Sequence, residues 1–228
     1  MPLSTARFID WLVRELGSPP VRAPPVLRPV PVASRAEALE AASLGLPAVV
    51  TSPNAVDAMA SLLPRDLLES ALSDSIAIGP MTASAILDVV PGARVSVPRS
   101  HDSASLIALL RGGRRVLWCS TGVEESLARA VYRAGGIVVR LYRLEVDERS
   151  ADEIRSSLSA DDLVVFASMA SVEAWSRVRI GLAPRPRAAA ISRRVAAALR
   201  GDESISSLAV FEMGDMRKFP EFLRAAHG

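Results

Sequence analysis

Small hydroxyl, amide and glycine residues recur wherever an apolar run gives way to a turn. They are Thr51, Ser52 and Asn54; Gly79 and Thr82; Ser120, Thr121 and Gly122; Ser168 and Ser171; and Ser192, followed by Arg193. If each apolar run is a parallel strand and each turn opens a helix, free backbone N–H groups and the positive end of the helix dipole gather there. Such a set suits a ligand that carries several carboxylates, because small side chains let the amides approach it. Arg193 and Arg194 add guanidinium groups, which pair well with carboxylates. The same Ser, Thr and Asn residues are also ordinary helix caps, a role compatible with binding.

Proton-transfer chemistry has few candidates. Tyr132 and Tyr142 are the two phenols of the chain. A phenol with its ordinary pKa of about 10 is protonated at neutral pH and can donate to a departing oxygen. The single cysteine, Cys119, is flanked by apolar residues and has no histidine nearby in sequence to activate it, so core packing is expected. His101 and His227 lie in separate regions, and no metal site is expected. His101 beside Asp102 reads as a solvated loop pair, and Trp11, Trp118 and Trp175 as core residues. Gly112-Gly113 is a turn before a strand; neither G-x-G-x-x-G nor G-x-x-x-x-G-K-[ST] occurs.

The elements that must position these residues can be read from periodicity. Strands are expected at 48–51, 75–79, 94–97 and 114–119, each followed by a helix: one through Leu63, one over 83–89, one over 103–110 and one through Ala134. This alternation implies βαβ units and a parallel sheet. The pattern then repeats about half a chain length later. Val49 to Met59 resembles Leu163 to Trp175, placing Ser52 on Ser168 and Val56 on Val172; Ala188 to Ser192 answers the strand ending at Gly79; and Leu208 to Met213 answers Arg94 to Val97. The N-terminal stretch Phe8 to Gly17 matches Leu127 to Gly136, so the N-terminal helix should complete the second copy. A partner for the strand Arg114 to Cys119 would fall at or before Met1, and one strand of that copy is expected to be missing.

The expected fold is therefore α/β, with two related flavodoxin- or Rossmann-like parallel-sheet lobes. One lobe is discontinuous, over 1–27 and 147–228, and the other spans 32–142. The crossings, 28–31 and 143–146, lie within two extended stretches. Val21 to Val32 is held extended by Pro24, Pro25, Pro29 and Pro31, and Ile137 to Val146 is β-rich and too long for one buried strand. Side by side they would form a two-stranded ribbon hinge, with a cleft between the lobes that Tyr142 faces.

Composition narrows the function further. Half of the 228 residues are hydrophobic, enough for a buried core, and the net charge of +2 lacks the basic block of a nucleic-acid binder. No apolar run approaches the ~18 residues of a membrane span, and no signal peptide is evident. A cytoplasmic monomer acting on a small molecule is expected.

The ordered blocks resemble the uroporphyrinogen-III synthase family. Its F-T-S-x-x-A-V block is matched by Val50 to Val56, and its V-G-x-x-T-A block by Ile78 to Ala83. A strand ending near V-Y-x-t is matched by Leu141 to Leu144, and the second F-x-S-P-S-x-V block by Phe166 to Val172. The resemblance implies closure of hydroxymethylbilane, a linear tetrapyrrole with acetate and propionate arms, with loss of water and inversion of ring D, for haem, sirohaem or cobamide biosynthesis. It implies no metal or organic cofactor. It also favours Tyr142 over Tyr132 as the proton donor. The departures fall in the discontinuous lobe: Ala190 to Ala196 lacks the block's Gly, Pro and Thr, and Ala167 and Met169 replace the usual Thr and Pro. They leave open a second reading, a non-catalytic relative that binds a tetrapyrrole or another anion.

Overall fold

Nine strands and ten helices are defined among the residues described by the computed structural model, which are 12–15, 26–99, 103–110, 113–211 and 218–227; Leu12 to Glu15 are also helical. The strands are β1 (Leu27–Pro31), β2 (Ala48–Val50), β3 (Asp74–Ala77), β4 (Arg94–Ser96), β5 (Val116–Ser120), β6 (Ile137–Val146), β7 (Leu163–Phe166), β8 (Arg187–Ala190) and β9 (Ser207–Val210). The chain divides into two compact units, one running from Pro29 to Leu144 and the other formed by Glu145 onward with residues up to Arg28.

The Pro29–Leu144 unit is built on a six-stranded sheet in the order β1-β6-β5-β2-β3-β4. Strands β6, β5, β2, β3 and β4 are mutually parallel, with Val49 opposite Ile76 on one side and Leu117 on the other. β2 and β5 are hydrophobic on both faces because helices cover both. Ala48, Val50, Val116 and Trp118 point into one buried cluster, while Val49, Leu117 and Cys119 point into another. This is the two-residue alternation of a strand read as two cores.

β1 meets β6 through Val32 N to Leu141 O at 2.9 Å and Asp147 N to Val26 O at 2.8 Å, so numbers rise on one strand as they fall on the other. The pair is antiparallel. β1 carries Pro29 and Pro31 and lies at the sheet edge, where a missing donor is tolerated. The stretch expected to be too long for one buried strand forms a single ten-residue strand, β6. It need not be wholly buried, because its burial varies along its length, and its register against β5 shifts at a bulge beside Cys119 and Ser120.

The other unit holds a three-stranded parallel sheet, β7-β8-β9. Ala188, Ala189 and Ala190 are fully buried at its centre, small enough for helices to pack closely on both faces. Phe166 meets Trp175 edge-on at 5.6 Å between ring centroids, and Phe211, Phe219 and Phe222 form a second aromatic group in the same core. The place at or before Met1 where a strand was expected to be missing, most of the stretch Phe8 to Gly17, the core role of Trp11 and the loop pair His101-Asp102 lie outside the described residues.

Two helices carry no clear apolar stripe and do not emerge from periodicity. Arg35–Ser43 buries only Ala38, Ala41 and Ala42, and Glu148–Ser157 buries only Ser150 and Ala151. Each is instead marked by its cap, Ser34 with Glu37 and Asp147 with Ser150. Arg65–Leu72 is short and begins directly after Pro64.

Candidate active site

Tyr142 is brought to the carboxyl ends of the strands by the bulge in β6. Cys119 lies opposite Arg140, but the next residue, Ser120, lies opposite Tyr142, so Leu141 is the extra residue. A bulge bends the strand and re-aims the side chain that follows. Tyr142 accordingly joins Val139 and Leu141 in one buried cluster. Its hydroxyl lies 2.7 Å from Ser52 Oγ. The side chains of Asn54 and Ser120 also act to lower its pKa. Backbone bonds stitch the same layer together: Thr121 N donates to Tyr142 O at 2.8 Å, and Thr51 N donates to Trp118 O at 3.3 Å.

The adjacency of β6, β5 and β2 explains this convergence. Residues 51–54 follow β2, residues 120–122 end β5, and Tyr142 lies along β6. Ser52 caps the helix Pro53–Leu62: its backbone is extended, with φ −166°, and its Oγ accepts from Ala55 N at 3.1 Å. Proline at the first helical position suits that start.

Burial sets the state of the phenol. Tyr142 is only 4% exposed. Burial pushes its pKa up, and hydrogen bonds to Ser52, Asn54 and Ser120 offset part of that. The group is therefore a neutral O–H at physiological pH. Tyr132, by contrast, is 52% exposed on the helix Glu125–Arg133. Cys119 is buried, its thiol pushed up to about 12 by desolvation against the lowering field of Arg140, and its Sγ faces Val139 O at 3.6 Å. It is a packing residue, not a nucleophile.

The turn after β3 adds a neighbouring position. The strand ends at Ala77, earlier than its apolar pattern suggests, and Gly79 is the N-cap of Pro80–Val89. No side chain caps that helix, so its first-turn amides are not claimed by a cap. Thr82, 2% exposed, is the third residue of a helix that begins three residues before the expected start. Thr121 and Gly122 are exposed beyond β5.

The second unit repeats the caps. Ser168 caps Met169–Val178 with φ −164° and forms a capping box with Ser171, whose Oγ donates to Ser168 O at 2.6 Å. Ser192 takes the position of Gly79 and caps Arg193–Leu199 through Val195 N at 3.3 Å. The loss of glycine there adds a side-chain cap that the first copy lacks. Arg193 is exposed at the first helical position.

Periodicity did not reveal that Ser52 meets the Tyr142 hydroxyl. That contact depends on the β6 bulge, which has no one-residue signature in sequence. Among the described residues, no group of three or more His, Cys, Asp or Glu could hold a metal ion, and no helix is long and apolar enough to cross a membrane.

Comparison with known proteins agrees with this architecture. The family model for uroporphyrinogen-III synthase HemD matches residues 10–211. A substituted uroporphyrinogen III synthase from Thermus thermophilus is similar in structure, with TM-score 0.56 and 21% identity over 96% of this chain and 93% of that one. Uroporphyrinogen-III synthetase from Helicobacter pylori gives TM-score 0.61 and 13% identity over 90% and 93%. At these identities the structural likeness speaks for the fold alone. Among curated proteins none matches the chain. The family match covers most of the sequence, and with it the chain belongs to the uroporphyrinogen-III synthase family.

Proposed function

We propose that this chain closes hydroxymethylbilane to uroporphyrinogen III and that Tyr142 is its proton donor. The single observation that carries the assignment of Tyr142 is a buried phenol held by Ser52 at the carboxyl ends of β2 and β5. In open α/β sheets that edge is where ligands bind.

The reaction needs an oxygen to leave. Tyr142 gives its phenolic proton to the hydroxymethyl oxygen, which departs as water with the C–O bonding pair. An azafulvene cation remains, balanced by the phenolate. Ring D attacks the cation to form a spiro intermediate, rearrangement inverts that ring, and the proton then lost from carbon can restore the phenol. The turns at Thr51, Asn54, Gly79, Thr82, Thr121 and Gly122 and those at Ser168, Ser171, Ser192 and Arg193 offer amides, hydroxyls and a guanidinium for the substrate carboxylates. Holding the flexible chain in a closing geometry supplies part of the rate. The reading extends to a cytoplasmic monomer. Nothing in the fold or the family match supports a non-catalytic role.

Tyr142→Phe tests the assignment. It should lower kcat by roughly 100-fold or more, within the range for loss of a general acid, while Tyr132→Phe stays within about twofold because it alters an exposed side chain. Equal small effects on kcat would remove Tyr142 from this role.

A further inference from the structure

Ser52, Asn54 and Ser120 read from sequence as substrate contacts, yet Ser52 Oγ lies 2.7 Å from the Tyr142 hydroxyl, Ser120 lies opposite Tyr142 in the sheet, and all three side chains act to lower the pKa of that phenol. We propose that Ser52 and Ser120 are positioning residues: they aim the Tyr142 phenol and stabilise the phenolate left after proton transfer. This deepens the assignment of Tyr142 as proton donor and rests on it.

The geometry at Ser52 favours this role. Its Oγ already accepts from Ala55 N at 3.1 Å, which fixes one lone pair and orients the hydroxyl. At 2.7 Å from Tyr142, its O–H can donate to the phenol oxygen and leave the phenolic proton free for substrate. Once that proton is gone, the same bond becomes charge-assisted, at the positive end of the helix Pro53–Leu62. A phenolate that is 4% exposed receives little help from water, so the hydroxyls must supply what solvent cannot. Ser120 approaches from β5, across the bulge, and caps no helix. Cys119, its thiol pushed up to about 12, is neutral at physiological pH and adds no charge beside the phenol there.

A substrate-binding serine and a positioning serine behave differently when replaced. Ser52→Gly removes Oγ but costs the helix cap only a few tenths of a kcal/mol, so stability should hardly change. Ser120→Ala removes a second hydroxyl without touching a cap. Each should lower kcat by roughly 10- to 100-fold, the loss of one hydrogen bond to a charged group, with KM changed less than about threefold because ground-state binding is intact. Ser52→Thr, which keeps the hydroxyl, should recover most of the loss.

A second readout does not depend on turnover. In a Tyr132→Phe background Tyr142 is the sole tyrosine, and a 13Cζ-tyrosine label reports its hydroxyl environment alone. Its resonance should move in Ser52→Gly and in Ser120→Ala and return in Ser52→Thr. A rise in KM at unchanged kcat would make these serines substrate ligands and overturn the proposal. So would a label that does not move in either variant. If the wild-type protein showed no closure activity, the reaction assignment would fall while the label still decided whether the serines hold the phenol.

Discussion

At the scale of single residues, burial decides what each reactive group can do. Tyr142 and Cys119 are one sheet position apart in character: both are buried and both have raised pKa values, yet only the phenol is useful as a neutral donor. The thiol at about 12, against an ordinary 9.0, is protonated more readily in the folded state than in the unfolded one. Its contribution to stability is therefore fully present below the unfolded value and is lost as pH rises through the folded one. A disulfide reagent at pH 8 should react with Cys119 only as the protein unfolds, giving a labelling rate that follows denaturant concentration. Labelling of native protein at the rate of an exposed thiol would contradict the buried placement.

At the scale of elements, the turn before β6 is the most constrained. The helix Glu125–Arg133 ends with Gly135 at φ +75°, where Gly135 N bonds Tyr132 O at 2.9 Å and Gly136 N bonds Val131 O at 3.0 Å. This paired pattern closes a helix end on a left-handed glycine. Gly136 has a separate reason to be glycine: a Cβ there would lie 2.3 Å from the Arg115 carbonyl and 2.9 Å from Val131 Cγ1. Gly136→Ala must shift the start of β6 against β5 and should destabilise by about 2 kcal/mol or more, read as a lower urea midpoint. A midpoint shift equivalent to less than about 0.5 kcal/mol would show that the backbone there can give way. The parallel strands were legible because Val49-Val50 and Val116 to Cys119 are continuous apolar runs followed by small polar turns. The helix Arg35–Ser43 was not, because alanines at its buried positions leave no stripe. Ser52 and Tyr142 could each be picked out, but their contact could not. It depends on one extra residue in β6, and period-two reasoning cannot see which residue will be extra.

At the scale of the whole molecule, the repeat is visible in the caps. Ser52 and Ser168 hold the same extended backbone and accept from the amide three residues on, and Gly79 and Ser192 each begin a helix after the next strand. The second copy departs in side chain and, among the described residues, has a three-stranded sheet where the first unit has six strands, but it keeps the order of strand, cap and helix. The copies differ at the centre of the proposed chemistry: the phenol, its partner Ser52, and Asn54 and Ser120 all lie within the Pro29–Leu144 unit. The chemistry proposed for Tyr142 requires that this chain direct ring closure. Hydroxymethylbilane generated in situ closes without a catalyst to the type I isomer. Purified protein should convert it to the type III isomer, and a type I product unchanged by added protein would contradict the account.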